Sequence, residues 1–102
     1  MKLVAIIGST LFMDEMHRQA RHENMKGNMA IYCHVRKSKD YTEPDVTSQH
    51  KAMLAKMIEA QIMKADEVLV VNFGGYIGDN TKEYIDFCLA AGKPIRYSEE
   101  TR

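Results

Sequence analysis

The chain predicts a three-layer α/β sandwich built on a parallel sheet of about four strands in the order 2-1-3-4. Three observations carry that prediction. Short apolar runs rich in β-branched residues alternate with longer helical patterns in the order β-α-β-α-β-α-β. The first run, residues 3–7, is apolar at every position, as a strand covered on both faces must be. Parallel strands joined by helices need right-handed crossovers, and this alternation then favours a doubly wound sheet in that order.

Taken along the chain, residues 3–7 form the first strand and Gly8-Ser9-Thr10 closes it. Over residues 11–25, Phe12, Met16 and Ala20 recur at four-residue spacing, with His17, Arg18, Arg21 and Glu23 on the other side, which predicts an amphipathic helix. Gly27-Asn28 ends it as a glycine cap. Residues 29–35 read as a weaker second strand, because Cys33 and His34 suit a sheet edge, and the polar stretch 36–42 before Pro44 reads as a loop. Asp45, Thr47 or Ser48 can cap the next helix, which runs to about residue 64 with Leu54, Ile58, Ile62 and Ala65 on one stripe. Met53, Met57 and Ala60 lie beside that stripe and widen it, as core filler or as a dimer surface. Residues 67–73 form the strongest strand, a third helix spans about 81–91, and Gly92 stops it before a short final strand at 94–97.

The 102 residues allow one domain with one core, spanning 1–102. Fourteen basic and fourteen acidic side chains cancel, so the broad positive field used in binding nucleic-acid polymers is missing. The longest apolar stretch is far below the roughly 20 residues of a membrane helix. A soluble cytoplasmic protein with no membrane partner is expected. Cys33 and Cys88 form no C-x-x-C and are expected to be buried, reduced thiols. His17, His22, His34 and His50 contain no i,i+4 pair and share no motif with cysteine, so neither a metal nor a cofactor is expected.

In the order 2-1-3-4 the winding reverses between the first and third strands, and ligands of such sheets bind outside the carboxyl ends at that reversal. Both glycine-containing loops fall there. Gly8-Ser9-Thr10 offers backbone N–H groups and two hydroxyls to a phosphate, a carboxylate or a sugar, although a plain turn and helix cap would look the same. It has neither a P-loop lysine nor the three-glycine dinucleotide spacing, so ATP hydrolysis and NAD chemistry are not suggested. The second loop, residues 74–81, packs Gly74, Gly75, Tyr76, Gly78, Asp79, Asn80 and Thr81 into eight positions. Tyr76 on a glycine loop suits stacking against a base or sugar, and Asp79 suits hydrogen bonding to hydroxyls or acid/base work. Asn80 with Glu83 three residues on reads as a capping box.

Four blocks carry a resemblance that covers nearly the whole chain: Ile6-Ile7-Gly8-Ser9-Thr10-Leu11-Phe12, Ala65-Asp66-Glu67-Val68-Leu69-Val70-Val71-Asn72, Gly74-Gly75-Tyr76-Ile77-Gly78-Asp79-Asn80-Thr81 and Gly92-Lys93-Pro94-Ile95. The sequence resembles the small nucleoside 2-deoxyribosyltransferase-like proteins, which have a flavodoxin-like (Rossmann-like) sheet and include deoxynucleotide N-hydrolases. The resemblance implies a pocket for a nucleoside or nucleotide, with Gly8, Ser9, Thr10 and Phe12 on one side and Gly74, Gly75, Tyr76, Gly78, Asn80 and Thr81 on the other. It implies cleavage or transfer of an N-glycosidic bond, and a homo-oligomer, expected here as a dimer. The family's nucleophilic glutamate falls on Tyr84, and a second acidic or histidine position falls on Ile58. A phenol with an ordinary pKa near 10 is a poor nucleophile at neutral pH. Glu83 and Asp86 lie about 100° and 200° round the helix from it, which leaves Asp79 as the acid able to reach the ligand. Two expectations follow: an enzyme of the N-glycosidic bond with Asp79 assisting and Tyr84 or a water in an unusual role, or an inactive nucleotide-binding or sensing module on the same scaffold.

Overall fold

A computed structural model of the chain describes residues 1–35 and 46–99. Four parallel strands, β1 (Leu3–Gly8), β2 (Met29–Ile31), β3 (Glu67–Val71) and β4 (Ile95–Tyr97), form one sheet in the order β2-β1-β3-β4. Three helices, α1 (Met13–Met25), α2 (Ser48–Lys64) and α3 (Asp79–Ala90), complete a flavodoxin-like α/β arrangement with the predicted strand order.

Alternation along the two central strands splits the core into two layers. Val4, Ile6, Leu69 and Val71 face α1 and meet Met16 and Ala20. Ala5, Ile7, Val68 and Val70 face the other way and meet Ile62 of α2 and Cys88 of α3. Both faces of β1 and β3 are therefore buried, which is why their sequences are continuously apolar. Leu54 and Ile58 are half-buried and Ile62 and Ala65 fully buried, so the predicted stripe of α2 does face the sheet. Cys88 is buried and Cys33 half-buried, and both are free thiols.

The boundaries differ from expectation where tertiary contacts decide them. β2 stops at Ile31 rather than 35, because it is an edge strand with β1 alone to pair with. β3 stops at Val71 rather than 73, since Asn72 turns to bond with Ser98 and Phe73 opens a 3₁₀ turn, Phe73–Gly75. A second 3₁₀ turn, Thr10–Phe12, precedes α1, so that helix begins at Met13 and not at 11. Thr47 caps α2 in a reciprocal capping box with His50, the Thr47 hydroxyl accepting from His50 N and His50 Nδ1 accepting from Thr47 N. Asp45 and the predicted loop at 36–42 lie outside the described residues.

On two helices, side chains lie on faces other than a buried stripe and a polar back would give. Glu23, expected on the polar side of α1, is 1% exposed and accepts from Arg96 on β4 (2.8 Å), Asn28 (3.1 Å) and Lys26 (3.3 Å). A buried carboxylate becomes tolerable once its lone pairs are met in this way. Met53 and Met57, expected beside the α2 stripe as core filler or as a dimer surface, are 61% and 41% exposed, with Ala60 exposed beside them, so they do not fill the core. The sheet alone cannot cover so wide a helix face.

Candidate functional site

The register Gly8↔Val71 brings β1 and β3 to an end at the same level, and both glycine-containing loops leave from that edge. A Cβ on Gly8 would lie 3.0 Å from the Val71 carbonyl oxygen and 3.2 Å from Val71 Cβ. The glycine is thus required by close packing of the first loop on β3, quite apart from any ligand. Ser9 caps the 3₁₀ turn through its hydroxyl, which accepts from Leu11 N at 3.2 Å, while Thr10 is exposed.

That turn sets the Phe12 ring against the second loop. Its centroid lies 5.2 Å from Phe73 and 5.8 Å, edge-on, from Tyr76. Phe73 and Tyr76 are 45% and 47% exposed, so the two loops meet in an aromatic cluster that one side of which is open to solvent. Gly74 at φ 64° and Gly75 at φ 81° provide the left-handed steps that turn the chain between those rings, conformations a side chain would resist. Tyr76 folds back over Gly78, whose Cβ position lies 3.5 Å from the phenol oxygen.

Beyond the turn, α3 opens at Asp79, two residues earlier than expected, with Gly78 at the cap position and its carbonyl accepting from Lys82 N. The predicted Asn80–Glu83 capping box therefore does not form, because Asn80 is already the second residue of the helix. The Asp79 side chain is fully exposed and stands 3.9 Å from Lys82, whereas Thr81 is buried. A carboxylate at a helix start also gains from the helix dipole.

Tyr84 sits elsewhere. It is half-buried against the core layer that includes Ile62 of α2 and Cys88 of α3. Burial pushes its phenol above the ordinary value of 10.0, and the charges of Glu59, Cys33 and Glu83 push the same way. A phenol held neutral can donate a hydrogen bond but is further from nucleophilic phenolate than a free tyrosine. Ile58 packs on that same layer as an ordinary core residue.

No family model, curated protein or solved structure matches the chain. What the chain can do is therefore read from its own geometry.

Sequence reasoning left out several residues that border the loops. Phe73 reads in the sequence as the end of a strand, yet its ring completes the aromatic cluster. Asn72, 1% exposed, accepts through Oδ1 from Glu99 N (2.9 Å) and Ser98 Oγ (3.2 Å) and donates through Nδ2 to the Glu99 carbonyl (3.1 Å). The Glu99 carboxylate in turn accepts from Gly74 N at 2.6 Å. The available signal was positional, since Ser98 and Glu99 directly follow the last strand and so must emerge beside the end of β3. Along the β2 edge, His17 Nδ1 lies 3.1 Å from the Tyr32 hydroxyl, and the Tyr32 and His34 rings stand 4.3 Å apart. Among the described residues, no three His, Cys, Asp or Glu side chains gather as metal ligands, and no helix is long and apolar enough to cross a membrane.

Proposed function

We propose that the chain binds a nucleoside or nucleotide at the carboxyl ends of β1 and β3, between the loop at 8–12 and the loop at 73–81. The observation that carries this reading is the convergence of Phe12, Phe73 and Tyr76 from those two separate loops at the winding reversal of the sheet. Exposed aromatic faces favour a flat, partly polar partner such as a base, and stacking of that kind is worth about 1–3 kcal/mol per base. The exposed Thr10 hydroxyl and the solvated Asp79 carboxylate stand ready for sugar hydroxyls.

Binding without turnover is the better supported form. The loop's own carboxylate, Asp79, is fully solvated, and Tyr84 belongs to the core layer with its phenol held neutral. Calorimetric titration with the four deoxynucleosides and their 5′-monophosphates tests the reading. Saturable binding that weakens about tenfold in Tyr76→Ala, with no release of free base, is expected. Base release abolished by Asp79→Ala would instead establish the N-glycosidic enzyme of the deoxyribosyltransferase type. Absence of binding by every nucleoside and nucleotide overturns both. The reading includes a cytoplasmic homodimer, for which the exposed Met53 and Met57 of α2 offer an adaptable apolar face. Light scattering is expected to return twice the chain mass, and a single-chain mass removes the dimer.

A further inference from the structure

The chain continues past β4 directly across the end of β3, and two sets of contacts hold it there. Ser98 N donates to the Val70 carbonyl at 2.9 Å, and Ser98 Oγ accepts from Asn72 N at 3.2 Å. Asn72, buried, then uses both ends of its side-chain amide on Ser98 and Glu99. This first set is a clamp anchored in the core. The second set is one bond, from Gly74 N to the Glu99 carboxylate at 2.6 Å. It reaches out of the clamp onto the exposed glycine turn, and a carboxylate acceptor at that distance is of the stronger, charge-assisted kind.

The other amides of the turn are satisfied internally, Gly75 N on the Asn72 carbonyl (2.8 Å) and Tyr76 N on the Phe73 carbonyl (3.1 Å). Glu99 therefore fastens the turn from outside at Gly74, the first of the two glycines that lie between Phe73 and Tyr76. In the fastened state Phe73 and Tyr76 both rest on Phe12. A planar ligand that stacks between these rings, rather than on their exposed faces alone, parts Phe73 or Tyr76 from Phe12, and both side chains are carried by the turn that Glu99 fastens.

We infer that Ser98–Glu99 is a built-in strap: the Glu99 carboxylate locks the Gly74 turn with its aromatic rings closed on one another, and ligand entry at the loops requires that lock to yield. The inference deepens the proposed nucleoside site and rests on it for the ligand, while the lock itself is a property of the free protein. Asn72 positions the strap and Glu99 is its movable tip.

Glu99 is exposed, so Glu99→Ala leaves the core and the Asn72 clamp in place. Amide hydrogen exchange in the ligand-free protein, followed by NMR, reads the lock directly. Glu99→Ala is expected to speed exchange at Gly74, Gly75 and Tyr76 together by about tenfold, the scale of one hydrogen bond to a charged group, with Val70 and Val71 unchanged. Acceleration at Gly74 alone, or at none of the three, overturns the lock. Titration with a deoxynucleoside 5′-monophosphate reads the consequence for entry: roughly three- to tenfold tighter binding in Glu99→Ala than in the parent supports the strap, and equal or weaker binding overturns it. Glu99→Gln, which keeps the acceptor but loses the charge, is expected to fall between the two proteins in both measurements. If neither protein binds the nucleotide, the proposed function fails while the exchange result still decides the lock.

Discussion

Glu23 is nearly sealed from solvent, and its charge is met by Arg96, Asn28 and Lys26. Burial alone would raise its pKa, but the hydrogen bonds from Arg96 and Asn28, the Arg96 charge and the Lys26 contact outweigh that and hold it below the ordinary 4.5. Arg96 also bonds Glu67 at 2.9 Å, so its removal leaves Glu23 buried and short of its best partner. Arg96→Ala is expected to cost about 2–3 kcal/mol in urea denaturation, less than a fully sealed pair because Arg96 is partly solvated and Lys26 and Asn28 remain. Arg18→Ala, which removes only a surface partner of Glu15, should stay within about 0.5 kcal/mol. The pH dependence has a definite sign. Because the folded pKa of Glu23 lies below the unfolded one, the unfolded chain takes the proton first on acidification. The Glu23 contribution is complete above the unfolded value and is lost as pH falls through the folded one, so stability should decline below about pH 5, less steeply in Arg96→Ala. Tyr84 and Cys88 act at the other end. Burial raises both above their ordinary 10.0 and 9.0, so their contribution is full below those values and falls as pH rises beyond them. Tyr84→Phe should flatten that alkaline decline in a denaturation series run from pH 8 to pH 11.

At the scale of elements, helix ends and loop starts are fixed by short-range bonds that can be removed one at a time. Thr47→Ala takes away the side-chain half of the α2 capping box and is expected to lower stability by about 1 kcal/mol, with the lost helicity visible by circular dichroism. Gly8→Ala tests the junction between β1 and its loop. The added methyl meets the Val71 backbone, which belongs to the central strand and has little room to yield, so a loss of about 1–3 kcal/mol is expected in thermal melts. Were Gly8→Ala to weaken ligand binding while leaving the melting temperature unchanged, the packing role given to this glycine would be wrong. The helix starts were harder to read than the helices themselves. Asn80 looks like a cap beside Glu83, yet α3 reaches back to Asp79, because Gly78 presents its carbonyl to Lys82 N and the turn before it leaves Tyr76 folded over the glycine.

For the whole molecule, the two-layer core makes β1 and β3 the most protected part of the chain and leaves β2 and β4 with a single neighbour each. The slowest-exchanging amides are expected at Ala5, Ile6, Leu69 and Val70, with Ala30 and Arg96 exchanging sooner through local opening of the edges. The strand order was legible because the continuous apolar runs 3–7 and 67–71 demand burial on both faces, which places them at the centre and the weaker runs outside. The two loops of the candidate site were legible for the same reason, since a strand order fixes which loops share an edge. The aromatic cluster was legible only in part. Tyr76 announces itself on a glycine loop and the family resemblance puts Phe12 in the pocket, whereas Phe73 reads as the last residue of a strand.

Local pattern alone determined the parallel four-strand architecture, the central pair of strands, the α2 stripe and the edge at which the glycine loops emerge, because each depends on hydrophobic periodicity and chain connectivity. Tertiary structure decided what depends on partners distant in sequence. Glu23 is buried because Arg96, 73 positions on, reaches it across the sheet. Tyr84 packs on the core rather than in the aromatic cluster because α3 turns that face toward the layer it shares with α2. The strand order already sets the end of β4 beside the end of β3, but that Glu99 bonds Gly74 there depends on the Asn72 contacts that hold residues 98 and 99 across the strand end.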